Sequence, residues 1–81
     1  MNEKALASII DTIEDLTKDD TIPRNVKGKL NEILQSLKSS QELSIKINKA
    51  LDDLDEISSD SNLQAYTRTQ IWNIASLLES L

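Results

Sequence analysis

The residues of this sequence that could perform chemistry are its clustered carboxylates. The densest cluster comprises Asp52, Asp53, Asp55 and Glu56. Helix residues three or four positions apart share a face, so two of these carboxylates could bind a hard cation or perform acid–base catalysis. An EF-hand loop, however, has a central glycine among its oxygen ligands, and this cluster has none. We therefore interpret the cluster as a solvated helix face, with cation binding as the alternative.

The sequence contains neither histidine nor cysteine. A disulfide framework, a thiolate nucleophile or a zinc–thiolate site would require cysteine, and histidine is the commonest general base and metal ligand. The di-metal sites of helical bundles use a Glu-x-x-His motif, which this composition excludes. We therefore expect no catalytic residue, no metal and no cofactor, and we predict that the protein is not an enzyme. An enzyme that relies on carboxylates alone is the remaining alternative.

The segment 60–73 carries both aromatic residues of the chain, Tyr66 and Trp72. In a protein without phenylalanine, a single tryptophan either fills the core or anchors an interface, where Trp and Tyr are enriched. Ile45 and Leu77 lie off the apolar stripes of their helices, and with Leu81 they could extend an exposed apolar patch. The predicted interaction surface, through which the last helix could self-associate, is Tyr66, Arg68, Trp72 and Leu77.

Arg68 is predicted to be a structural cation. It lies four residues before Trp72, so its guanidinium can stack on the indole. It could also form an ion pair with Asp60 or Asp19 across the turns. Threonines flank Arg68 on both sides, but no neighbouring base could activate their hydroxyls as nucleophiles.

A candidate basic patch consists of Arg24, Lys27 and Lys29. The net charge of the chain is −5 at pH 7. Binding to a nucleic-acid backbone depends on Lys and Arg neutralising phosphates, so direct binding is disfavoured. A role as an accessory component of a nucleic-acid-bound assembly, recruited through protein contacts, is therefore an alternative function.

The periodicity of the apolar residues predicts an all-α fold of four amphipathic helices. The first two cover about residues 3–17 and 23–37, and the others end near residues 57 and 79. The predicted N-caps are Asn2, then Asp20 or Thr21, then Ser39 and Ser61, the last two in capping boxes with Glu42 and Gln64. The only glycine, Gly28, lies inside the second helix. It is either a tolerated surface residue or the site of a close helix approach.

An internal repeat appears when the chain is shifted by 41 residues. Apolar positions then coincide along the whole chain, Asp19 coincides with Asp60, and Lys27 coincides with Arg68. The sequence therefore predicts one domain, residues 1–81, of two pseudo-repeated helical hairpins at about 3–38 and 41–80, with a period like that of HEAT repeats. Short connections make successive helices antiparallel, which predicts an up-and-down four-helix bundle.

Two motifs, D-x-x-P-R-N at residues 20–25 and T-R-T-x-I-W at residues 67–72, identify a resemblance. With these motifs, most of the chain resembles uncharacterised protein family 0147, a group of short archaeal proteins. The chain departs from that family at Gln64, where the family tends to carry proline. The resemblance implies an archaeal, all-helical protein and brings no catalytic residues and no assigned function.

The sequence lacks an apolar run of the ~18 residues that a membrane-spanning helix needs. Its N-terminal residues lack the basic start and long apolar stretch of a signal peptide, so we expect a cytoplasmic protein without a membrane partner. The favoured function is a non-enzymatic interaction or structural module with an unknown protein partner, and a homodimer is one form that it could take.

Overall fold

A computed structural model describes residues 3–81 of the chain. The elements in this range are four helices, α1 (Glu3–Thr17), α2 (Arg24–Lys38), α3 (Leu43–Ser58) and α4 (Ala65–Glu79). Each helix packs against its neighbours in the chain, and α1 also packs against α4, so the helices form a closed ring. The prediction of an all-α bundle of four antiparallel helices is confirmed. Asn2, the predicted first N-cap, lies outside the described residues.

The core lies along the axis of the bundle, whose principal extents are 35 × 19 × 19 Å. The predicted stripe of each helix supplies its buried apolar residues, which include Ile13, Leu30, Leu54 and Ile71. Two further buried residues, Ile22 and Leu63, come from the connections and close one end of the core. These two residues lie 41 positions apart, at equivalent positions of the repeat, and outside the four helical stripes. Burial of apolar surface contributes about 25 cal/mol per Å², which makes this core the main source of stability.

The predicted side-chain N-caps are wrong. Helices α2, α3 and α4 have Pro23, Glu42 and Gln64 at their N-cap positions, and none of these makes a side-chain capping hydrogen bond. All three are extended, with φ between −66° and −56° and ψ between 143° and 147°. The predicted cap Ser39 instead ends α2, where its hydroxyl donates to the carbonyl of Ser36 at 2.6 Å.

The connections α1–α2 and α3–α4 have the same hydrogen-bonding pattern at positions 41 residues apart. Asp19 Oδ1 accepts the backbone N–H of Thr21 at 2.9 Å, and Asp60 Oδ1 accepts that of Asn62 at 2.8 Å. In each of these Asx turns the carboxylate satisfies an N–H of the connection directly. The repeat therefore extends to local geometry as well as to the apolar pattern.

The second connection, between α2 and α3, is tied by a buried lysine that the sequence analysis missed. Lys46 Nζ donates to the carbonyls of Leu37 and Ser39, each at 3.0 Å. These carbonyls belong to the C-terminal end of α2, where unsatisfied acceptors and the helix dipole favour a cation. The available signal was the spacing of Lys46, which lies three residues after Leu43 and four before Ala50 on the apolar stripe.

Gly28 is an exposed surface residue of α2. A Cβ atom built at this position would meet nothing within 4 Å. The two readings of Gly28 are thereby resolved in favour of the tolerated surface glycine, and no close helix approach depends on it.

We expect Gln64→Pro to stabilise the protein. Gln64 has φ −66°, which lies in the range that proline imposes, and its repeat equivalent is Pro23. A compatible proline reduces the freedom of the unfolded chain and contributes about 0.4–1 kcal/mol. Urea denaturation followed by circular dichroism measures this gain, and a lower unfolding midpoint for Gln64→Pro would contradict the equivalence of the two connections.

Candidate interaction surface

The exposed apolar residues of α4 lie on two opposite flanks of the helix. Trp72 is 58% exposed and lies beside α3, whereas Leu77 is 51% exposed and lies beside α1. Tyr66, 70% exposed, lies on the same flank as Leu77, because residues eleven positions apart are nearly aligned on a helix. The predicted single surface is therefore divided into two. Half-buried Leu81 packs against the core and lines the same groove as Leu77, whereas exposed Ile45 lies between α2 and α3 and does not extend a patch on α4.

Trp72 borders a groove between α3 and α4 with a volume of about 280 Å³. We call this groove, with the residues that line it, the Trp72 groove. Its apolar lining comes from core residues and from half-buried residues at the helix contact, and its polar lining includes two carboxylates. The lining residues are Leu51, Leu54, Asp55, Ser58, Ile71, Trp72, Ala75, Ser76 and Glu79.

A groove at the repeat-equivalent place lies between α1 and α2. Six of its seven lining residues, all except Lys18, are equivalents of residues that line the Trp72 groove. Here Lys38 Nζ forms an ion pair with Glu14 Oε2 at 2.8 Å. The hydrogen bond from Lys38 lowers the pKa of the Glu14 carboxyl below its ordinary value. Only Leu34 provides an apolar side chain, and the lining carries two lysines, Lys18 and Lys38, against one carboxylate, Glu14.

The same positions of the second hairpin carry different chemistry. Asp55 replaces Glu14, but Glu79 replaces Lys38, so both sides of the Trp72 groove are acidic. In residues 3–81 neither Asp55 nor Glu79 forms an ion pair with a lysine or arginine. Ala75 replaces Leu34, and half-buried Leu51 and exposed Trp72 supply the accessible apolar surface of the groove. The arrangement can therefore accept an apolar group that carries a positive charge.

Arg68 binds the end of α3 rather than a carboxylate. Its Nε donates to the carbonyl of Ser58 at 2.8 Å, and its Nη2 donates to the carbonyls of Asp60 at 3.0 Å and Leu63 at 3.4 Å. The predicted ion pair between Arg68 and the side chain of Asp60 or Asp19 is wrong, because Arg68 contacts Asp60 through its backbone carbonyl. A cation here satisfies free carbonyls and complements the helix dipole. The stacking of Arg68 on Trp72 stays a prediction.

Asp60 links the two hairpins. Its Oδ2 accepts a hydrogen bond from the side-chain amide of Asn25 at 2.8 Å. This hydrogen bond, with the one from the Asn62 N–H, lowers the pKa of Asp60 below its ordinary 3.8. At the equivalent turn, the Thr21 hydroxyl and N–H lower the pKa of Asp19 in the same way. Both side chains are therefore structural.

We expect the protein to lose stability in acid through these carboxylates. Because their pKa values are lower in the folded protein, their contribution is complete above the unfolded pKa, near 3.8, and is lost as the pH falls through the folded pKa. The unfolding midpoint in urea should therefore fall between about pH 5 and pH 2. Asp60→Asn should reduce this fall, whereas Asp11→Asn, on the exposed face of α1, should leave it nearly unchanged. An equal fall in wild type and Asp60→Asn would contradict the role of Asp60.

The predicted basic patch is largely neutralised within the chain. Lys27 lies 3.8 Å from Asp20, and Lys29 lies 3.7 Å from Asp53 and 3.4 Å from Glu56. The ion pair with Glu56, aided by Asp53, raises the pKa of Lys29 above its ordinary value. Arg24 is exposed at the start of α2. Internal pairing leaves this patch with little charge to offer a phosphate backbone.

The predicted acidic cluster separates into residues with different surroundings. Asp52 is exposed, Asp55 lines the Trp72 groove, and Glu56 pairs with Lys29. Asp53 is 5% exposed, with Lys49 Nζ 3.1 Å from its Oδ2. The interpretation as a solvated face is therefore wrong for Asp53, which the sequence places three residues after Ala50 and four before Ile57 on the apolar stripe. Within residues 3–81, no group of three or more acidic side chains is arranged to hold a metal ion.

Comparisons with known proteins agree with the fold. A solved crystal structure of unknown function protein MMP1188 matches with a TM-score of 0.93 and 35% sequence identity, covering 100% of this chain and 93% of that one. A UPF0147 protein of Archaeoglobus fulgidus is 37% identical over 81 residues, covering 100% of this chain and 93% of the relative. One of Methanosarcina mazei is 33% identical, covering 99% and 87%.

None of the four helices is long and apolar enough to cross a membrane, within the described residues. The sequence model of the Uncharacterised protein family (UPF0147) matches residues 1–81. The relatives named above are archaeal and carry only the family name, so they assign no activity. This confirms the resemblance found in the sequence: the chain belongs to the uncharacterised protein family UPF0147, whose function is unknown.

Proposed function

We propose that the protein is a non-enzymatic interaction module that binds a protein partner through the Trp72 groove. The observation that carries this proposal is the difference between two equivalent grooves. In the first hairpin an ion pair of 2.8 Å joins α1 to α2, whereas the second hairpin has an exposed Trp72 and two acidic side chains. Exposed tryptophan at a partly apolar groove is typical of an interface anchor.

The non-enzymatic role is supported by the chemistry of the chain. The sequence lacks histidine and cysteine, so a catalytic site would depend on carboxylates. A carboxylate that acts as a general acid near neutral pH needs a raised pKa. The carboxyl groups with clearly displaced pKa values, Glu14, Asp19 and Asp60, are all displaced downwards and accept hydrogen bonds. We further propose a cytoplasmic location for the module.

Weak self-association is a second proposal, and it concerns the other flank of α4. Tyr66 and Leu77 are exposed there beside α1. Two such side chains offer much less area than the ~800 Å² per partner of a stable interface, so dimers should form only at high protein concentration. Sedimentation equilibrium at millimolar concentration measures this association. A monomer throughout would refute it and would leave the Trp72 groove proposal untouched.

The proposed function is tested by matched substitutions in affinity purification from an archaeal host. Trp72→Asn introduces the residue that the first hairpin carries at the equivalent position, Asn31. Ile45→Asn is the control, because Ile45 is 51% exposed between α2 and α3, away from the groove. We expect a partner that is retained by wild type and Ile45→Asn and lost with Trp72→Asn. Partners retained equally by all three chains would contradict the proposal.

A further inference from the structure

We propose that the Trp72 groove receives a lysine or arginine side chain presented by a protein partner. This inference rests on the proposed function and specifies its partner, which must carry a protruding basic residue. The groove combines three features that suit such a side chain. These are a narrow apolar floor, an aromatic wall and two acidic groups.

The size of the groove favours a single side chain. Its volume is about 280 Å³, which is at or below the lower limit of the ~300–1,000 Å³ of pockets for small-molecule ligands. Leu51 and Ala75 are half-buried and line the groove together with the core residue Ile71. Long basic side chains place their methylene groups on such apolar surfaces and keep the charged end towards polar groups. The floor can therefore hold the aliphatic part of a lysine or arginine.

The charges of the groove favour a cation. Asp55 and Glu79 both line it, and no lysine or arginine in residues 3–81 pairs with either. In the equivalent groove of the first hairpin, a lysine of the chain itself, Lys38, pairs with Glu14 at 2.8 Å. Within the described residues, the Trp72 groove has no such cation of its own. A partner cation would occupy the corresponding place, and the indole of Trp72 adds a cation–π contact.

A second copy of this chain is a poor occupant of the groove. The chain has a net charge of −5, so two copies repel one another, and the groove itself is acidic. Two of the cations that a second copy could present, Lys29 and Lys38, are already paired within their own chain. A basic segment of a different protein is attracted by the acidic groove, and its cations need not be paired within its own chain.

The test is an NMR titration with short peptides. The probe is acetyl-Gly-Lys-Gly-amide, with its arginine, glutamine and glutamate counterparts and spermidine as comparisons. We expect saturable shifts with the lysine and arginine peptides at the Trp72 indole N–H and at the backbone of Leu51, Asp55 and Ala75. The glutamine and glutamate peptides should bind at least tenfold more weakly, and increasing salt should weaken binding.

Two charge reversals make the titration decisive. Glu79→Lys gives the groove the pairing found at Lys38 and should weaken binding at least tenfold. Asp11→Lys makes the same change in net charge on the exposed face of α1 and should leave binding nearly unchanged. Both residues are exposed, so folding should persist, which circular dichroism checks.

The remaining outcomes overturn the inference. These are equal binding to Glu79→Lys, equal shifts in the α1–α2 groove, tighter binding of spermidine than of the peptides, or shifts that depend on protein concentration alone. If the peptides fail while a partner is still lost with Trp72→Asn in the affinity purification, the partner is not basic but the interaction module stands. If both experiments fail, the proposed function is wrong as well.

Discussion

Arg68→Met should lower the free energy of unfolding by about 2 kcal/mol. Hydrogen bonds that involve a charged group contribute about 1.5–3 kcal/mol each, and partial exposure of Arg68 reduces this value. The substitution keeps the aliphatic length of the side chain but leaves the carbonyl of Ser58 without the Arg68 donor and that of Asp60 with the N–H of Leu63 alone. Urea denaturation followed by circular dichroism gives the difference directly.

The repeat provides the control for this prediction. Lys27 is the equivalent of Arg68, but its contact is a 3.8 Å ion pair with fully exposed Asp20. Exposed ion pairs contribute about 0–1 kcal/mol, so Lys27→Met should have little effect. Equal losses for the two substitutions would show that Arg68 does not tie α3 to α4 in the way described.

Leu30→Ala and Ile71→Ala should each destabilise the protein by about 2–5 kcal/mol. Both residues are fully buried, at 0% exposure, and occupy equivalent positions of the two hairpins. Truncation removes apolar contacts and leaves a cavity in a packed core. Because small domains are stable by only about 5–15 kcal/mol, either variant should unfold at a much lower urea concentration.

Leu77→Ala is the matched surface control for the core variants. Leu77 is 51% exposed, so its truncation should change the stability by less than about 0.5 kcal/mol. If Leu77→Ala were as destabilising as Ile71→Ala, the assignment of the buried and exposed faces of α4 would be wrong.

The positions of the helices and most of the core residues could be predicted from the sequence, because amphipathic periodicity determines which face of each helix is buried. The sequence also revealed the repeat. It failed at the helix starts, since Ser39 and Ser61 match the composition of a cap but lie three residues before the N-cap positions Glu42 and Gln64. Composition does not show that each connection needs an extended residue before the next helix begins.

Three cations occupy the same position in their helices, and this pattern in the sequence was not recognised. Lys27, Lys46 and Arg68 are each the fourth residue of their helix. Two of them, Lys46 and Arg68, donate to the C-terminal carbonyls of the preceding helix. Their role follows from the path of the connection, which brings the preceding helix end beside the first turn of the next helix. That path becomes visible only in three dimensions.

The candidate surface was predicted only in part. The aromatic residues were singled out and both are exposed, but the segment alone does not separate Trp72 from Leu77, which lie on opposite flanks of α4. Glu79 was not recognised at all. It becomes notable only when its equivalent, Lys38, is found paired with Glu14.

The central claim is that the two hairpins share a scaffold and differ in function at the Trp72 groove. Site-specific photocrosslinking tests it most directly, with a photoreactive residue placed at Ser76 in one chain and at its equivalent Gln35 in another, which leaves Trp72 in place. Both positions are exposed, and each lines one of the two grooves. We predict one defined protein, identified by mass spectrometry, attached at position 76 and absent at position 35. The same products at both positions, or none at position 76, would contradict the claim.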